Sequence, residues 1–170
     1  KAMSVEQPNG ILLSPDEKIL YVSDVWHPDW RDPDVDAQQW QQQASGREKA
    51  CVYAYDTMSA GGRANTLELG VARLFIDLRQ EREQGAKGYP DGLKCDEKGN
   101  VYAGCGDGVR VYSPAGTYLG RIRIDAGVTN LCFGGADGRT LLVLSARRAY
   151  TVRMKVRGAL SDARRTSVSK

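Results

Sequence analysis

Three polar residues stand at matching places in this chain: Asn9, Asp91 and Asn130. Asn9 lies in PNGILLSPDEKILYVSD (residues 8–24), Asp91 in YPDGLKCDEKGNVYAGCGDG (89–108) and Asn130 in VTNLCFGGADGRTLLVLS (128–145). Each is followed by an apolar run, a polar turn and a second apolar run. Pro precedes and Gly follows the first two. The three side chains offer an amide oxygen, a carboxylate oxygen and a second amide oxygen. Brought together, such hard donors suit Ca²⁺, Mg²⁺ or Mn²⁺ and also accept Zn²⁺. Asn and Asp before a strand also cap turns by bonding nearby N–H groups. Both readings stand at this level. Gly10 and Gly92 let neighbouring backbone come close.

A second group of candidates follows Asp24. The stretch 25–50 holds all three tryptophans (Trp26, Trp30, Trp40) and the single histidine, His27. One reading is a lid whose aromatic rings cover a sugar-like ring, with Asp24 or His27 positioning it. The other is a surface loop whose tryptophans cover the sheet below. The spaced aspartates of DWRDPDVD lack the Gly and closing Glu of an EF-hand. GCGDG is not a phosphate loop, because no GxGxxG pattern or P-loop Lys accompanies it. No Ser-centred nucleophile elbow occurs. The four cysteines form no CxxC pair, and their apolar surroundings predict buried structural thiols.

The elements that must position these residues read as β. Short runs rich in Val, Ile, Leu and Tyr alternate with turn sequences such as SPDEK, DEKGN, SPAG and GADGR. One segment, VDAQQWQQQA (35–44), has helical character. Asn9 and Asp91 are 82 positions apart, and Asp91 and Asn130 are 39 apart. One four-stranded propeller blade takes roughly 40–50 residues. The first interval is then one blade plus an insertion, or nearly two blades, and Asp91–Asp125 fits one complete blade. The expected fold is all-β, a β-propeller of about three to three and a half blades. In a propeller the residues just before each inner strand gather at one mouth of the central channel, here called the top. The insertion after Asp24, and Asp107 of GCGDG, open on that same face.

Three blades leave a ring open and strand edges unpaired. The expectation is therefore a C-terminal part of a longer protein, with the missing N-terminal blades upstream of Lys1. A small irregular β-domain and a dimer of half-propellers are the alternatives. Residues 1–158 form the blades, with the insertion loop at 25–50, and residues 159–170 form a basic polar tail. From Arg147 to Lys170 eight basic residues stand against one acid, Asp162, while the rest of the chain is net acidic. Its end, SDARRTSVSK (161–170), is polar and lacks aromatics, and reads as solvated chain rather than a nucleic-acid surface. No nucleic-acid partner is expected. No apolar run approaches the roughly 18 residues of a membrane span, so no membrane partner is expected either. The compartment stays open, with secretion slightly favoured over the cytoplasm.

With these motifs in view, PNGILLSPDEKILYVSD, YPDGLKCDEKGNVYAGCGDG and TNLCFGGADGRTLLVL resemble the SMP-30/gluconolactonase family of six-bladed propeller lactonases. GNVYAGCGDGVRVYSPAG is most similar to its fungal lactonohydrolase branch. The resemblance runs from Pro8 to about Met154, without much of 26–49. It implies a divalent metal, Ca²⁺ first and Zn²⁺, Mg²⁺ or Mn²⁺ as alternatives, at the channel mouth. Asn9 and Asp91 match two of the family's ligands. The third, a Glu of the first blade, would lie before Lys1. Asn130 matches a central position and is a candidate ligand or supporting group. The implied substrate is a small, sugar-type lactone, with Asp91 as ligand and general base. A non-catalytic interaction scaffold and a truncated pseudo-enzyme are the competing expectations.

Overall fold

The computed structural model describes residues 5–25, 49–59, 67–85 and 87–159. Three antiparallel sheets follow one another along the chain. The first contains β1 (Pro8–Leu13), β2 (Ile19–Asp24), β3 (Cys51–Ser59), β4 (Leu67–Leu69) and β5 (Arg73–Asp77). Both β4 and β5 pair with β3, at its far and near ends, so its outer neighbour is split in two. Gly70 bridges the split by donating its N–H to Asp56 O at 2.8 Å. The interval from Asn9 to Asp91 is therefore one blade carrying an insertion, not two blades.

A short helix, α1 (Arg79–Glu83), leads to the second sheet. This helix was absent from the sequence reading, and the expected helix at 35–44 lies outside the described residues. The second sheet runs β6 (Leu93–Cys95), β7 (Val101–Cys105), β8 (Gly108–Tyr112) and β9 (Tyr118–Arg123), the complete blade expected between Asp91 and Asp125. The third has three strands: β10 (Val128–Gly134), β11 (Thr140–Ser145) and β12 (Arg148–Arg153). Three successive up-and-down blades of a β-propeller result, with β1, β6 and β10 innermost.

Alternation within each strand builds the core. On β3, Val52 and Ala54 point toward the second blade and pack with Leu12, Tyr21, Leu93, Val101 and Ala103. Between the second and third blades Tyr102, Val109, Val128, Leu131, Leu141 and Val143 form a second layer. Each such aliphatic side chain contributes roughly 1.5–3 kcal/mol when fully buried. The far side of the third blade lacks this cover. Cys132, Leu142, Leu144 and Ala149 share that face by register, and all are exposed. Cys132 thus departs from the expectation of four buried thiols: its alternate position on β10 faces away from the core. Cys51, Cys95 and Cys105 are buried, and all four are free.

The chain after β12 turns underneath. Arg157 O accepts the N–H of Glu97, Gly158 donates its N–H to Gly138 O, and Ala159 donates to Cys95 O, at 2.8–3.1 Å. Beside this seam the buried Asp96 carboxylate accepts Lys98 N–H, Asn100 N–H, Asn100 Nδ2 and Tyr102 OH, which locks the DEKGN turn. The DEKGN turn of the lower face is thus structural.

Candidate functional site at the channel mouth

Register fixes which loops share the upper face. Pro8 pairs with Asp24, and Asp24 with Cys51, so β1 begins where β2 ends and the insertion departs. Asp91 precedes β6 as expected, whereas Asn130 lies inside β10, beside Gly92, rather than before its strand. Two of these entries are irregular: the β1–β2 ladder shifts between Pro8 and Ile11, and the β10–β11 ladder between Val128 and Asn130. Bulges of this kind re-aim side chains at a strand end and are common beside functional sites.

The inner strands approach at backbone distance. A Cβ on Gly10 would lie 2.1 Å from the carbonyl oxygen of Asp91. One on Gly92 would lie 2.5 Å from Asn130 Oδ1 and 2.9 Å from Thr129 O. Gly92 also donates its N–H to Thr129 O at 3.0 Å. The glycines after Asn9 and Asp91 are therefore needed for interblade contact. The repeated motif stitches blade to blade, and in doing so brings Asn9 against Asp91.

The Asn9 side chain lies near enough to the Asp91 carboxylate to favour its charged form. Burial pushes the Asp91 carboxyl up, and the nearby Asn9 amide only partly opposes this. A desolvated acid beside a neutral amide is a donor pair that a divalent cation would stabilise. This chemistry fits the implied metal, with Asn9 and Asp91 as its holders. Among the described residues no group of three or more His, Cys, Asp or Glu is placed to hold a metal.

The other candidates are placed differently. Asn130 Oδ1 accepts the N–H of Leu131 at 2.9 Å, so the amide oxygen is turned to its own strand. Asp24 is fully buried; its two oxygens accept Gln7 N–H at 2.9 Å and Glu6 N–H at 3.1 Å, and Lys49 Nζ lies 3.4 Å away. Its carboxylate thus ties the approach to β1 to the returning end of the insertion. His27 and the three tryptophans lie outside the described residues.

Two residues that sequence reasoning left aside complete the mouth. Ser23, buried on β2, accepts Gly10 N–H at 2.6 Å and reaches Asp91 O at 3.4 Å. Arg110 on β8 donates to Asp107 at 2.8 and 3.2 Å, lies 3.7 Å from Glu81, and is joined there by Arg121. Glu81, Lys87, Asp107, Arg110 and Arg121 line a cleft of about 470 Å³. The Val-Arg-Val-Tyr alternation of β8 was the available signal, since a charge inside a buried strand requires a partner.

Burial raises the Asp107 carboxyl, but the two arginines outweigh it and hold the group below the usual range. Stability from such a depressed acid is present above the unfolded value of about 3.9 and is lost as pH falls through the folded value. Asp107→Asn is thus expected to lower the melting temperature at pH 7. The gap to wild type should close between roughly pH 5 and pH 2. A gap independent of pH would assign the loss to packing alone. Cys105, beneath this cluster, is pushed up to about 12 by burial, which makes it an inert thiol at neutral pH.

Comparison with known proteins bears on the family and the fold. Residues 45–147 match the family model described as SMP-30/Gluconolactonase/LRE-like region. A gluconolactonase of Zymomonas mobilis is 31% identical over 158 residues, covering 91% of this chain and 36% of that protein. The lactonohydrolase oryH of Aspergillus oryzae is 30% identical over 156 residues, covering 89% and 30%. The chain thus spans about a third of the length of these curated relatives. A gluconolactonase structure from Xanthomonas campestris superposes with a TM-score of 0.61 at 23% identity, covering 90% of this chain and 40% of that one. Regucalcin of Agrobacterium tumefaciens, a calcium-binding protein, gives 0.63 at 23% identity, covering 91% and 48%. Both likenesses are of fold, and each takes in less than half of the solved propeller. With the family model spanning more than half of its residues, the chain belongs to the SMP-30/gluconolactonase/LRE-like family.

Proposed function

We propose that this chain supplies part of the active site of a metal-dependent lactonase acting on small, sugar-type lactones. The observation that carries this reading is the contact between Asn9 and the desolvated Asp91 carboxylate at the mouth of the blades. Ca²⁺ is the first candidate ion, with Zn²⁺, Mg²⁺ and Mn²⁺ as alternatives. A third ligand, a glutamate, would come from blades that complete the ring, together with part of the substrate pocket. The uncovered apolar face of the third blade supports such additional blades.

A cation held by Asn9 and Asp91 would polarise the lactone carbonyl and stabilise negative charge on its oxygen. Asp91 would serve as general base as well as ligand. It takes a proton from the attacking water as the new carbon–oxygen bond forms. The ring carbon–oxygen bond then breaks, and the ring oxygen takes that proton from Asp91 and leaves as a hydroxyl. Asn9 supplies a neutral oxygen, which keeps the negative charge at the mouth low.

Hydrolysis of gluconolactone by the full-length protein is expected to stop on chelation and to return with Ca²⁺. Asn9→Asp should bind Ca²⁺ more tightly yet turn over more slowly, because the extra charge dulls the ion as an electrophile. Hydrolysis indifferent to chelator, or absent from the metal-loaded protein, would favour a scaffold or pseudo-enzyme instead. Equal or faster turnover in Asn9→Asp would remove the charge argument.

A further inference from the structure

Resting on the metal-site reading above, we propose that Ser23 is a positioning residue for the Asn9–Asp91 pair. Its hydroxyl fixes the separation of the two ligand-bearing backbones. Asn9 and Asp91 sit on different blades, 82 positions apart in the chain. Apolar packing between blades is not directional and cannot by itself hold two oxygen donors at a chosen spacing. Ser23 is directional. It is 0% exposed and lies on β2, beside the bulge where the β1–β2 ladder shifts. At that shift Gly10 N–H is accepted by the Ser23 hydroxyl at 2.6 Å.

The same hydroxyl has one hydrogen to donate, and the Asp91 carbonyl oxygen lies 3.4 Å away. The carbonyl lies close over the Gly10 Cα, where no side chain intervenes. On its other side the Asp91 N–H donates to Gly104 O at 2.8 Å, within its own blade. The Asp91 backbone is thus held by the second blade through its N–H and by the first through Ser23. The contact to Asp91 is the longer and weaker one, and it is the only one of the pair that crosses between blades. Removing the hydroxyl leaves the Gly10 N–H without this acceptor and frees Asp91 from Asn9's blade.

Partners that orient ligands typically change metal affinity by 10–100-fold when removed. Ser23→Ala in the full-length protein is therefore expected to raise the Ca²⁺ dissociation constant about tenfold, by titration calorimetry of chelator-stripped protein. Ser23→Thr restores the hydroxyl and should stay within about twofold of wild type on the same scale. Ser23→Cys keeps a similar volume with a weak sulfur donor and should resemble the alanine variant. Melting in chelator confirms which variants fold. A purely structural serine would lower that melting temperature while leaving the Ca²⁺ constant alone. Equal Ca²⁺ constants for wild type and whichever of the Ala and Cys variants folds would overturn the role of Ser23. A wild-type protein that takes up none of Ca²⁺, Zn²⁺, Mg²⁺ or Mn²⁺ would overturn the metal site and this role with it.

Discussion

Asp91→Ala in the full-length protein is expected to lower kcat/KM for gluconolactone by on the order of a thousandfold without lowering stability. The two halves of this expectation come from one fact. Burial disfavours the ionised Asp91 carboxylate, and a single neutral amide repays only part of that cost. A carboxyl whose folded pKa is raised binds its proton more tightly in the fold than in the unfolded chain. Its contribution to stability is therefore unfavourable above the folded value, and it fades as pH falls toward the unfolded one. Removing it at neutral pH relieves the fold while removing ligand and base together. Chelator-stripped Asp91→Ala should melt at or above the wild-type temperature and show no further rise with Ca²⁺. Retained hydrolysis would displace Asp91 from the chemistry. Lost hydrolysis with a large fall in melting temperature would make it a structural residue. Asp91→Asn should behave like the alanine variant in catalysis, since it keeps the shape but not the charge.

The sheet order was legible because blade repeats are written in composition and spacing. PNG, PDG and VTN mark the inner strands, and DEKGN and GADGR mark the turns. The convergence of Asn9 and Asp91 followed from propeller topology, not from either residue alone. Ser23 was silent for the opposite reason: a serine in ILYVSD looks like any polar residue on a strand, and one of its partners lies 68 positions away. Asp24 looked available for substrate because it ends a strand on the upper face. Its oxygens are occupied by the Glu6 and Gln7 amides, which composition does not disclose. The exposure of Cys132 depends on which face of β10 has a neighbour, and a repeat pattern does not say where the array of blades is covered. The Asp107–Arg110–Arg121 cluster required the third and fourth strands of one blade to be in register, a relation seen only once the sheet is built.

Gly10→Ala is expected to be the most destabilising of the small substitutions at this mouth, by roughly 3 kcal/mol or more. The new Cβ would lie 2.1 Å from Asp91 O and 3.2 Å from its carbonyl carbon, both backbone atoms that cannot rotate aside. A third neighbour, Ser23 Oγ at 3.1 Å, is the hydroxyl that takes the Gly10 N–H, so yielding there costs that bond as well. Relief requires the first and second blades to separate at the top, which opens the layer containing Leu12, Leu93 and Ala103. Gly127→Ala is the control. Its nearest neighbour would be Gly106 Cα at 3.7 Å, an ordinary contact, and a change within about 0.5 kcal/mol is expected. Urea unfolding of the two variants separates the cases through the midpoint, provided the slope is unchanged. Equal midpoints would mean that the two blades do not meet at Gly10. If they do meet, Gly10→Ala loses stability and Ca²⁺ affinity together, whereas Asp91→Ala loses the affinity alone. That divergence distinguishes a residue that spaces the blades from one that binds the ion.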